Sequence, residues 1–142
     1  MMTKIMYTAR ATSTGGRVGH GATDDGVLDV TLTSPKEMGG DGARGTNPEQ
    51  LFAVGYSACF LGAMKAAARK SGDKIPDEAK VTAEVSFRDR PDGEGFWIQA
   101  ALKIDVPGLD REKVEDIVNR AHIICPYSEV SRKGFEVNLE VV

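Results

Sequence analysis

The stretch AVGYSACFLGAM, Ala53 to Met64, decides how this chain is read. It carries no charge and holds one cysteine, Cys59, at its centre. The residues before it supply a helix start. Asn47 can cap with its side-chain oxygen, Pro48 suits the first helical position because the N–H it lacks would be unpaired there, and Gln50 stands where a capping box needs it. The helix is expected to run to about Ser71, where Gly72 can close it. From Gln50 to Met64 no face is charged, whereas a helix lying on one sheet keeps a polar stripe. Something must cover its second side. With Gly55, Ala58 and Gly62 allowing close approach, a second copy of the chain is the expected cover, giving an obligate homodimer. Wrapping by the chain's own strands is the alternative.

Outside this helix the pattern alternates. Residues 3–10 and 26–33 read as strands, with Gly15, Gly16, Gly19, Gly21 and Gly26 punctuating the stretch between them, an N-terminal meander. VTAEVSFRD (about 80–90) and FWIQAALKIDV (about 95–106) read as a hairpin turning at Pro91–Gly95. Asp110 opens a second helix, with Val114, Ile117, Val118, Ala121 and Ile124 at helical spacing. Cys125 sits at its end, and Pro126 disfavours helical geometry there, so a break is expected. A short SEVSRK turn, Gly134 and a final alternating strand, FEVNLEVV, would follow. The order βββ-α-ββ-α-β is α+β, antiparallel sheets with two main helices, in a single domain over residues 1–142.

The 142 residues are 41% hydrophobic and 27% charged, with a formal net charge of −3, and their Lys and Arg residues are evenly scattered. No basic stripe forms, so nucleic acid is not an expected partner. The start, MMTKIMYTAR, lacks the apolar core of a secretory signal, and the longest uncharged stretch falls short of a membrane span. A cytoplasmic protein with no membrane partner is expected. Thiols there are kept reduced, so two cysteines argue for transient redox chemistry more than for a structural disulfide.

Cys59 lies in the apolar helix and Cys125 at the Pro-marked break. A hydrophobic surround for one thiol and a breakable setting for the other suit an attacking and a resolving cysteine, provided folding brings their Cα atoms within about 7 Å. The thiolate is the nucleophile, and an apolar site raises its pKa, so an active Cys59 calls for a nearby cation. Arg17, in TGGRVGHG, could be delivered by a loop, and Glu49 could grip its guanidinium through a bidentate pair. The plain alternatives are a solvated loop charge and a carboxylate suited to a helix's first turn. Two other readings stay open. His20, Cys59, His122 and Cys125 have the ligand types of a zinc site, and two buried thiols with no chemistry are also compatible with the composition. Phe60, Met64, Phe96 and Trp97 read as core packing ahead of an acyl pocket, and Tyr127 and Ser128 receive no chemical role.

TNPEQLFAVGYSACFLGAM (Thr46 to Met64) and CPYSEVSRKG (Cys125 to Gly134) resemble the two signature stretches of the organic hydroperoxide resistance (Ohr) proteins within the OsmC/Ohr family. YTARATSTGGRVGH and the strand order extend the resemblance over nearly the whole chain, although many Ohr proteins follow CPYS with a SNATRGN-like stretch that is absent here. The resemblance implies an intertwined α+β homodimer with two active sites at its interface. It implies a thiol peroxidase that reduces alkyl and fatty-acid hydroperoxides in preference to hydrogen peroxide, in oxidative stress defence. By motif match, Cys59 is the peroxidatic cysteine, Cys125 the resolving one, Arg17 the activating arginine and Glu49 the carboxylate that positions it. No cofactor or metal is implied; the reductant is a dihydrolipoyl group on a partner protein or a small dithiol. An OsmC-type peroxidase of broader peroxide use and a non-catalytic redox sensor are the alternatives, and the CPYS motif favours the Ohr type.

Ten positions separate Glu49 from Cys59, about 15 Å along a straight helix and on different faces. One arginine touching both would need a helix bent near Gly55 or a carboxylate from the other subunit. A site shared between chains is therefore expected.

Overall fold

The computed structural model describes residues 3–142, which form two compact units, residues 3–51 and 52–142. In the first, β1 (Ala11–Thr14), β2 (Gly19–Thr23) and β3 (Asp29–Leu32) form an antiparallel sheet in that order. The β1–β2 turn is made by Gly15 and Gly16, both left-handed at φ 78° and 68°, which side chains other than glycine's rarely tolerate in succession. Arg17 rides on this turn. A 3₁₀ turn at Lys36–Met38 follows, and the chain returns to β3, where Thr33 donates to the Thr46 carbonyl and Thr46 to the Thr31 carbonyl, both at 2.9 Å. This bridge pins the segment that enters the long helix.

The meander differs from expectation at both ends. Residues 3–10 form no strand, because the β2 ladder pairs with Ala11–Thr14 instead and leaves Ile5, Met6 and Tyr7 exposed. β3 begins only at Asp29 because Thr23, Asp25 and Leu28 close a hydrogen-bonded turn before it.

The helix α1 (Pro48–Lys70) starts where its signals lie: the Asn47 Oδ1 accepts the Gln50 N–H at 2.8 Å. Only half of the capping box forms, since the Gln50 side chain accepts from the Thr46 hydroxyl. Gly72, left-handed at φ 79°, follows its end. In the second unit, α1 buries one stripe, Tyr56, Phe60, Ala63, Met64, Ala67 and Ala68, against Ile75, Ala79, Ile117, Ala121 and Cys125. By length and composition α1 could cross a membrane, but this stripe anchors the core of residues 52–142. Its opposite face is bare: Val54 is 68% exposed, and Ala58 and Gly62 are exposed with it.

β4 (Lys80–Asp89) and β5 (Phe96–Asp105) form a second antiparallel sheet, in register from Lys80 opposite Asp105 to Asp89 opposite Phe96. The helix α2 (Arg111–Ile124) follows. Then comes the main correction: SEVSRK, Ser128 to Lys133, expected as a turn, lies in a third helix, α3 (Pro126–Lys133). Proline does exclude helical geometry at Cys125, which is extended at φ −70°, ψ 123°, but Pro126 itself then takes the first helical position. Cys125 thus ends α2, donating to the Ala121 carbonyl at 2.8 Å, and begins α3, its own carbonyl accepting the Glu129 N–H at 3.0 Å. The second correction is the tail. FEVNLEVV forms no strand, because among the described residues it meets no ladder to join, and Leu139 and Val141 are 92% and 101% exposed. The chain is α+β, with three helices and two antiparallel sheets among the described residues.

Candidate active site

Two pairs of side chains among the sequence candidates come together. In residues 52–142, Cys59 flanks the buried stripe of α1, half-buried, while Cys125 is fully buried at the α2–α3 elbow. Their sulfurs lie 3.7 Å apart and both thiols are free. The elbow is seated by Tyr127, whose ring packs edge-on to Phe52 at 5.5 Å and beside Tyr56 at 5.6 Å. Gly55 makes this possible. A Cβ there would lie 2.5 Å from the Tyr127 hydroxyl, so the small residue expected to admit a second copy admits the chain's own tyrosine. Seated in this way, the Tyr127 backbone N–H is directed at the Cys59 sulfur.

Burial pushes the Cys59 thiol above its ordinary value, and the contact with Cys125 pushes the same way. The Tyr127 N–H, in the positive first turn of α3, opposes them by favouring the thiolate. The net direction is upward, so a positive charge brought to Cys59 would favour its thiolate.

In residues 1–51, Arg17 and Glu49 form a bidentate pair, Nη1 to Oε2 at 3.0 Å and Nη2 to Oε1 at 2.6 Å. The Glu49 side chain is only 14% exposed, and the guanidinium holds its carboxyl below the usual range while the carboxylate raises Arg17 in return. The two-glycine turn that carries Arg17 and the bridge that pins the start of α1 both belong to this unit. The carboxylate that grips Arg17 is therefore the chain's own, not one borrowed from a second subunit.

Tyr56 and Ser128, which sequence reasoning left without a role, meet His122, weighed there only as a metal ligand, beside the elbow. The Ser128 hydroxyl is fully buried, 2.8 Å from the Tyr56 hydroxyl and 2.9 Å from His122 Nδ1. Arg132 adds a tie, donating to the His122 and Ile123 carbonyls at the end of α2 at 2.6 and 3.4 Å. The one hint available in sequence was Ser128 in the first turn after a Cys-Pro start; its partners lie on other helices. His20, the remaining candidate metal ligand, is hydrogen bonded to Asp29. Phe60 and Met64 are core residues, whereas Phe96 and Trp97 are exposed on β5.

Residues 39–140 match the family described as OsmC-like protein. Over 136 residues the chain is 46% identical to an organic hydroperoxide resistance protein of Xanthomonas axonopodis pv. citri, covering 96% of this chain and 94% of that one. It is 44% identical over 137 residues to the organic hydroperoxide resistance protein OhrB of Bacillus subtilis, covering 96% and 98% of the two chains. The crystal structure of OhrB from Bacillus subtilis matches with a TM-score of 0.83 at 42% identity, over 91% of this chain and 93% of that one. With two close thiols on this fold and such relatives over nearly its full length, the chain belongs to the OsmC family, among its organic hydroperoxide resistance members.

Proposed function

We propose that the protein is a cysteine-based peroxidase that reduces organic hydroperoxides to alcohols, as a homodimer and at the expense of a dithiol. The observation that carries this reading is the pair of free sulfurs 3.7 Å apart, one half-exposed and one buried. The Cys59 thiolate attacks the outer oxygen of the peroxide; the O–O bond breaks, the alkoxide takes a proton and leaves as alcohol, and Cys59 becomes a sulfenic acid. The Cys125 sulfur then attacks the sulfenic sulfur, water leaves, and a Cys59–Cys125 disulfide forms. A dihydrolipoyl-type dithiol reopens it through a mixed disulfide and is itself oxidised.

Activation of Cys59 falls to Arg17, and this is where a second copy enters. Glu49 holds Arg17 in a bidentate pair, and on this reading a second copy of the chain completes the site. Support for that assembly comes from the bare Val54–Ala58–Gly62 face and from the alternating tail, apolar surface that a single chain leaves in water. Organic peroxides gain over hydrogen peroxide by burying their tails against this apolar surround, about 0.8 kcal/mol per buried CH₂. Two free thiols fit a reducing compartment such as the cytoplasm.

Steady-state consumption of cumene hydroperoxide and hydrogen peroxide, with dihydrolipoamide as reductant, tests the reading in the wild type and Cys59→Ser. The expected result is a strong preference for the organic peroxide that Cys59→Ser abolishes. Equal or absent turnover in the two proteins would overturn it.

A further inference from the structure

We propose, resting on the function above, that Ser128 is a positioning residue for the resolving thiol: its hydrogen bonds to Tyr56 and His122 clasp α1, α2 and α3 together and hold Cys125 over Cys59. Cys125 belongs to neither flanking helix. It stands on an extended elbow, and a single extended residue between two helices leaves its side chain free to swing unless something fixes the joint.

The spacing of the clasp supplies that fixing. Tyr56 stands three residues before Cys59 on α1, Ser128 three after Cys125 on α3, and His122 three before Cys125 on α2. Tyr56 lies one turn from Cys59 on α1, and Ser128 and His122 lie in the turns of α3 and α2 that adjoin the Cys125 elbow. The bond from Tyr56 to Ser128 therefore ties the turn beside one sulfur to the turn beside the other. The bond from Ser128 to His122 fixes the angle between the two helices that meet at Cys125, and Arg132 reinforces it from the outside by gripping the last carbonyls of α2.

The hydrogen-bond count closes as well. A serine hydroxyl gives one proton and accepts others. Tyr56 can donate to Ser128, which donates to an unprotonated His122 Nδ1; alternatively His122 donates to Ser128, which donates to Tyr56. Both directions satisfy the buried hydroxyls, and among the described residues no buried side-chain nitrogen or oxygen lacks a partner. Removing the serine hydroxyl leaves the nearly buried Tyr56 hydroxyl without its partner and frees the elbow.

The test is equilibrium thiol–disulfide exchange of the full chain against glutathione buffers, which reads the effective concentration of Cys125 at Cys59 and needs no peroxide. Ser128→Ala is expected to lower that concentration about tenfold, a shift of about 30 mV toward a less negative potential in a two-electron couple. Tyr56→Phe, which keeps the ring and its packing, is expected to lower it several-fold, and adding Ser128→Ala to Tyr56→Phe should cost less than Ser128→Ala alone. A clasp that merely stabilised the fold would shift the unfolding midpoint and leave the potential alone. A potential within twofold of the wild type in both single variants overturns the proposal, as does a wild type that forms no internal disulfide. A wild type that forms the disulfide but consumes no hydroperoxide refutes the peroxidase reading while leaving this comparison intact.

Discussion

Replacing Gly55 with alanine adds one methyl group to α1, at the point where Tyr127 leans on the helix. The added Cβ would lie 2.5 Å from the Tyr127 hydroxyl, 3.1 Å from Cζ and 3.3 Å from Cε2, against an ordinary contact of about 3.5 Å or more. The ring must move by about 1 Å, and Phe52 and Tyr56 already pack against it. With those neighbours in the way of a ring rotation, we expect the elbow to shift and draw the Tyr127 N–H away from Cys59. Overpacking of this kind costs about 1–3 kcal/mol, while exchanging a helical glycine for alanine returns about 1 kcal/mol, so stability falls by at most about 2 kcal/mol. The thiolate pays more selectively. A hydrogen bond to a charged group contributes about 1.5–3 kcal/mol, and losing half of the lower figure or more cuts the thiolate population at pH 7 about three- to tenfold. The assay is iodoacetamide alkylation of Cys59 as a function of pH in a Cys125→Ser background, beside urea unfolding. The expected result is a profile displaced to higher pH with a modest loss of stability. An unchanged profile would show that Tyr127 does not tune Cys59 through its N–H, and a rise in stability would show that the ring has room the structure denies it.

Glu49→Gln removes the carboxylate from Arg17 and should cost about 0.5–1 kcal/mol at neutral pH, a modest value because the pair is partly exposed. Since Glu49 titrates below its usual 4.5 in the folded chain, its contribution is fully present above that value and is lost as pH falls through the lower folded one. The gap in thermal midpoint between variant and wild type should accordingly close in that acid window; a gap that persists there refutes the assignment. Gly62→Ala meets no atom of its own chain within 4 Å, so in an isolated chain it would stabilise by up to about 1 kcal/mol. We expect instead a weaker dimer by analytical ultracentrifugation, because that bare face is where the proposed second copy packs, and a tighter or unchanged dimer would count against the interface.

The parts of the fold that were legible in the sequence are those governed by local rules. Asn47, Pro48 and Gly72 mark the ends of α1 because caps act within one turn, and the hairpin of β4 and β5 follows from alternation on either side of Pro91–Gly95. What was not legible depended on partners. Ile5, Met6 and Tyr7 look like a strand by composition, yet Ala11–Thr14, with no large apolar residue, holds the ladder because β2 reaches it. Phe135 to Val142 alternates like a strand and finds nothing to pair with in its own chain. Pro126 was legible as an end to helical geometry at Cys125; that it also begins a helix depends on Cys125 serving both ends. The two cysteines stood out by surroundings and by motif, but their contact joins α1 to an elbow far along the chain. The Tyr56, Ser128 and His122 cluster draws one residue from each of three helices, and no spacing rule along the sequence connects them.

The short gap between the sulfurs also sets a clock. A disulfide bond is about 2.05 Å long, so from 3.7 Å the sulfurs have less than 2 Å to close. Turning side-chain torsions covers such a distance, and neither α2 nor α3 has to come apart. Steps that wait for local unfolding run from microseconds to seconds, whereas torsional closure is not held to that wait. On the proposed mechanism, a sulfenic acid formed on Cys59 would have its partner within reach from the moment it appears, and a second oxidant arriving by diffusion would start the race behind.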